Sequence, residues 1–159
     1  MFVSNVNPPN QKPTGTVAGD GWWPDVDADR MLKECRFDAT VTTERLRQAV
    51  VLAVADITGQ LEAWRAEQVA AGHDALDKVP ARQVDGKSVK PAQFLRAVQS
   101  HVQAELAEAY RDLDTLPNGE GKEGRVLSRL EIRVDTFQRN LRNAIADLRG
   151  RRRTIVELI

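Results

Sequence analysis

From Thr42 to Gly72 the apolar residues Leu46, Val50, Ala53, Val54, Ile57, Leu61 and Trp64 recur at spacings of three and four. That spacing gathers them on one face of a 3.6-residue period and predicts a single long helix. Thr42 or Thr43 can cap its first amides, Glu44 complements the positive end of its dipole, and Gly72 can adopt the left-handed turn that stops it. At about 1.5 Å per residue the rod would be roughly 45 Å long. A second stripe, Leu95, Val98, Val102, Leu106, Ala109 and Leu113, follows a Ser88 cap with Pro91 in the first turn. A third, Val126, Leu130, Val134, Phe137, Leu141, Ala144, Ile145 and Leu148, predicts a helix over Arg125 to Arg149 that Gly150 ends. Pro24 and the neighbouring aspartates introduce a short helix from about Asp27 to Arg36. The expected fold is all-α, an elongated bundle of three long helices plus a short N-terminal helix, with extended N-terminal and C-terminal arms.

The same pattern divides the chain. Residues 1–20 are rich in Asn, Pro, Gly and Thr and too poor in apolar side chains to offset the entropy of ordering, so they read as a flexible arm. Residues 21–150 form the helical domain. Residues 151–159 form an extended arm in which Ile155, Val156, Leu158 and Ile159 follow Arg151, Arg152 and Arg153. Apolar side chains at odd and even positions suit burial on both faces, on the chain's own bundle or, the favoured reading, on a neighbour by strand addition. Trp22 and Trp23 are adjacent in an extended segment, which directs them to opposite sides: one to the core, the other to a neighbour or solvent. Between the first two long helices, His73 to Lys87 reads as a connection pinned by Leu76 and Val79, with an exposed tip at the Asp85-Gly86 turn signal.

Composition narrows the function classes. With 159 residues, 42% hydrophobic and 29% charged, the chain is one globular domain with enough length for a core. The lone Cys35 excludes an internal disulfide framework and a thiol-rich metal site, and fits a reducing cytosol. The first residues, MFVSNVNPPNQKPTGT, do not form a secretory leader, and the apolar run Ala49 to Ala55 is too short to span a bilayer. Net charge is zero, but from Lys122 onward ten bases face five acids, whereas Asp20 to Ala71 carries ten acids and six bases. Such halves neutralise each other within one fold or meet head to tail between copies.

Several apparent sites fail on inspection. Asp25, Asp27 and Asp29 imitate the start of a calcium loop, but Arg30 stands where Gly is required and Arg36 where a bidentate Glu is required. Gly119, Gly121 and Gly124 match a dinucleotide fingerprint that works only between a strand and a helix, and here a helix precedes them. His73 and His101 lack ligand partners at metal-binding spacing. No cofactor, metal or catalytic constellation emerges. Arg125, Arg129 and Arg133 at i, i+4, i+8 would suit a DNA lumen, although Glu131 and Asp135 make an ion-paired, solvated face the default reading.

The order and spacing of Trp23-Pro24-Asp25-Val26-Asp27, Val41 to Val50 with Leu46-Arg47, Glu62-Ala63-Trp64-Arg65, Ala70-Ala71-Gly72, Val79-Pro80-Ala81, Asp85-Gly86 and Arg153-Thr154-Ile155-Val156 carry a resemblance. Over roughly Gly21 to Ile159 the chain resembles the head completion (head stabilisation) proteins, protein L, of peduovirus-like contractile-tailed phages. The resemblance implies a non-enzymatic virion protein, assembled in the host cytoplasm, that binds the portal as a dodecameric ring at the neck. It would hold packaged DNA, touching it nonspecifically, and would meet a tail terminator or other neck protein. In that reading Arg151, Arg152, Arg153, Ile155, Val156, Leu158 and Ile159 contact the portal or a neighbour, Trp22 and Trp23 contact a subunit, and Arg125, Arg129 and Arg133 face the lumen. No membrane partner is implied. The alternative is a small helical nucleic-acid-binding protein that uses the C-terminal arginines.

Overall fold

The computed structural model describes residues 15–35, 37, 41–114 and 123–151, with backbone alone between 110 and 132. Strand β1 (Thr16–Val17) pairs antiparallel with β2 (Val26–Asp27), Val17 opposite Val26. Helix α1 (Ala28–Glu34) follows, capped by the Asp27 carboxylate, which accepts from the Arg30 amide at 2.9 Å. Helix α2 (Thr43–Gln60) is capped by the Thr42 hydroxyl, and α3 (Glu62–Ala70) continues its course. A short 3-10 turn at Leu76–Lys78 leads to strands β3 (Gln83–Val84) and β4 (Lys87–Ser88), an antiparallel hairpin. Then come α4 (Val89–Asp114) and α5 (Glu123–Leu148).

Helix α4 is the centre of the molecule. Helices α5 and α2 both pack on it and make little contact with each other. The core joins Leu46, Val50 and Ile57 of α2, Phe94, Val98 and Val102 of α4 and Leu148 of α5, all fully buried. Each such side chain contributes about 1.5–3 kcal/mol of transfer free energy, which is why packing rather than propensity fixes these helices.

The expected all-α bundle is corrected in two respects. The fold is predominantly helical but includes two small antiparallel sheets. Asp85 and Gly86 both have positive φ, 53° and 68°, the geometry of a two-residue hairpin turn whose twist matches its strands. The Asp-Gly turn signal is therefore borne out and exposed as expected, with the unexpected addition of two short paired strands, and Leu76 and Val79 are buried as expected.

The far end of the long rod is as expected, with Gly72 at φ 94° and the His73 amide donating to the Gln68 carbonyl; the second correction is that the rod breaks at Leu61. The cause is local. The Thr58 hydroxyl donates back to the carbonyls of Val54 at 2.8 Å and Ala55 at 3.2 Å, competing with the helix ladder, and flexible Gly59 follows. Leu61 still donates its amide to the Ile57 carbonyl, so the interruption is a kink in a near-continuous helix.

Order also starts before residue 21, since Val17 is buried in the core and β1 pairs with β2. Gly19 is tightly placed there: an added Cβ would lie 2.2 Å from the Trp23 carbonyl oxygen. The rest of the expected N-terminal arm, the Gly-rich run before α5, and Arg152 to Ile159 lie largely or wholly outside the described residues.

Candidate interaction surface

The tryptophan segment was expected to be split between core and exterior. Instead Trp22 and Trp23 are both buried, at 5% and 3% exposure. The alternation rule fails because Gly21 to Trp23 form a bend, not a strand. Asp20 makes it: one carboxylate oxygen accepts the amides of Trp22 at 3.1 Å and Trp23 at 3.0 Å. Its other oxygen meets Arg65 of α3 at 2.7 Å, and that guanidinium lies over the Trp22 ring, 5.5 Å from its centroid. Partial burial pushes the Asp20 carboxyl up, but the Trp23 and Trp22 amides and Arg65 outweigh it and hold the group below its ordinary range.

The two indoles then reach different partners. Trp22 donates Nε1–H to the His73 carbonyl at 3.0 Å and meets Trp64 edge-on at 5.9 Å. Trp23 stacks on Phe94 of α4 at 4.9 Å. The segment therefore bolts α3 and α4 together, and aromatic pairs of this geometry add about 0.5–1.5 kcal/mol each beyond their burial.

Lys90, in the first turn of α4, completes the same end of the molecule. Its ammonium donates to the carbonyl of Leu148, and reaches that of Asp147 at 3.5 Å, capping the C-terminus of α5. Burial lowers its pKa, with Asp147 opposing the shift. Gly150, at φ 67°, follows in the left-handed cap, and the Arg151 amide donates to the Ala146 carbonyl at 2.9 Å. Arg151 is thus presented in solvent at a fixed point.

Of the remaining candidate contact and lumen residues only Arg133 has a described side chain. Arg133 is exposed on α5, while the side chains of Arg125 and Arg129 lie outside the described residues. So do Arg152, Arg153, Ile155, Val156, Leu158 and Ile159. The acids that imitate a calcium loop serve the fold: Asp25 accepts from the Gly19 amide, Asp29 from the Gly15 amide, and Asp27 caps α1. His101 donates Nε2–H to Asp56 at 3.0 Å, tying α4 to α2. Cys35 is buried, its thiol pKa raised chiefly by that burial, and Gln99 lies 2.9 Å from its sulfur. Among the described residues no group of three His, Cys, Asp or Glu side chains can hold a metal, and no helix is long and apolar enough to cross a membrane.

The outer face of α2 and α3 carries a surface that stripe-counting missed. Val51, Leu52 and Val69 are 45%, 47% and 50% exposed, and Ala55, Gly59, Ala63 and Ala66 are exposed along the same side. The signal lay in Gln48 to Ala55, QAVVLAVA, which is apolar around the helix rather than on one stripe. A helix of that kind wants cover on both sides.

A helical body with an apolar face left exposed has a surface suited to packing against another protein. A family model described as "Phage head completion protein (GPL)" matches residues 17–159. Over 138 residues the chain is 34% identical to the Head completion/stabilization protein of Escherichia phage P2, spanning 87% of this chain and 79% of that one. No solved structure matches it. The chain belongs to the phage head completion protein family, and its role is that of a structural component of the phage head, without catalysis.

Proposed function

We propose that this protein binds the portal as a ring at the neck of the virion, completes and stabilises the DNA-filled head, and offers the surface to which the tail attaches. The observation that carries the reading is the family match, which runs to residue 159 and so includes the apolar arm beyond the helical body. The arm begins at Arg151, which the Gly150 turn projects from a capped helix end. A short apolar segment leaving a rigid body is suited to strand addition or groove insertion on a partner. Portal, neighbouring copies and a further neck protein are the partners this reading requires.

Deleting Arg151 to Ile159 should leave a folded helical monomer that no longer joins portal rings, as read by electron microscopy of the protein mixed with its phage's portal. Normal rings from the truncated chain would contradict this use of the arm. A second reading has one observation in its favour: Arg133, Arg139 and Arg142 are all exposed on α5. A nanomolar duplex-DNA affinity at physiological salt would favour nucleic-acid binding, whereas the portal reading expects weak, strongly salt-dependent contact.

A further inference from the structure

From Gln48 to Ala70 the outward side of α2–α3 is apolar and carries a net negative charge. Between Gln48 and Ala70 the acids are Asp56, which accepts from His101 yet stays largely exposed, Glu62, which lies 3.9 Å from Arg65, and Glu67; the single base, Arg65, is held chiefly by Asp20 and Trp22. The outward face of α5 is its complement. Arg139 and Arg142 are exposed there, with exposed Asp135 a turn before them and exposed Arg151 just beyond the helix. Because α2 and α5 each pack on α4 and scarcely on each other, the two faces look out from different flanks of one molecule.

We propose that the α2–α3 face of one copy seats the Arg139–Arg142 face of α5 on the next copy. Unlike faces on different flanks make a head-to-tail contact, which generates a ring when the rotation closes. The inference rests on the ring reading above and names the surfaces that build the ring. The size of the patch sets its strength. Gln48 to Ala70 spans about 33 Å, and a helix about 10 Å wide offers roughly 300 Å². A stable interface buries about 800 Å² per partner. The contact is therefore weak between two free copies and closes when a platform lines up many of them.

The test is cross-linking on portal-mounted rings. The double variant Leu52→Cys, Arg142→Cys, bridged by a short bismaleimide, should give a ladder of covalent oligomers. The wild-type chain, with only buried Cys35, and each single variant should give none. Circular dichroism and denaturation confirm that the exposed substitutions leave the fold intact. Dimers from Leu52→Cys alone would show the face meeting its own counterpart and overturn the proposal. Rings without a ladder in the double variant would overturn this interface and leave the ring reading standing. Absence of rings with the wild-type chain would sink both.

Discussion

The inward face of α2–α3 carries Leu46, Val50, Ala53, Ile57, Leu61 and Trp64, and the outward face of the same rod carries Val51, Leu52, Ala55, Ala63, Ala66 and Val69. Hydrophobicity alone does not separate them. The inward set is closed by α4 and by two tryptophans that Asp20 and Arg65 hold in place. The outward set meets water and is flanked by acids. The difference teaches that the buried tryptophans fix the shape of this body, while alanines and aliphatic side chains, Leu52 among them, are left exposed on the other side.

If the inward face is the structural one, Trp23→Ala should be the most damaging change. It removes the stack on Phe94 and opens a cavity, and should cost about 3–5 kcal/mol in chemical denaturation. A loss under about 1 kcal/mol would mean that the tryptophan bend is not what holds α4 in place.

A smaller effect should come from Asp20→Asn, which keeps an acceptor for the two amides and loses the charge facing Arg65. The pair stands partly in water, so the cost at neutral pH should be no more than about 1 kcal/mol. Its pH dependence has a definite sign. The folded carboxyl titrates below its ordinary value of 3.8, so the unfolded chain binds the proton more readily. Stability from Asp20 is therefore complete above that ordinary value and is lost as pH falls through the folded one. The gap between wild type and Asp20→Asn should close on acidification. A gap that widened with acid would contradict the assignment.

The smallest effect on the free protein should come from the outward face. Leu52→Gln should shift monomer stability by no more than about 0.5 kcal/mol, since the side chain is already half in water. The same variant should be incorporated poorly into heads. Strong destabilisation of the free chain would make this face core, and the contrast between the two sides would vanish.

Much of the fold was legible in the sequence because three helical stripes are read directly from 3.6-residue periodicity. The kink was harder to see, since it depends on one hydroxyl, Thr58, turning back on its own helix. The tryptophan bend was hidden for a similar reason. The amides that Asp20 accepts belong to the nearby Trp22 and Trp23, but the arginine that holds its other oxygen comes from α3, far along the chain, and periodicity does not bring the two together. Stripe-counting finds the face a helix buries and ignores what remains. The outward patch became visible only when burial showed which apolar positions the core had left unused. Arg139 and Arg142 lie off the i, i+4, i+8 series of Arg125, Arg129 and Arg133, so spacing alone does not single them out.

The central claim is that one side of α2–α3 makes the protein and the other joins it to its assembly. Hydroxyl-radical footprinting of the free protein and of the protein in completed heads, read at individual residues, tests it most directly. The account predicts that Val51, Leu52 and Val69 are labelled in the free chain and protected in the particle, while Trp22 and Trp23 are protected in both. Equal labelling of Val51, Leu52 and Val69 in the two states would contradict it.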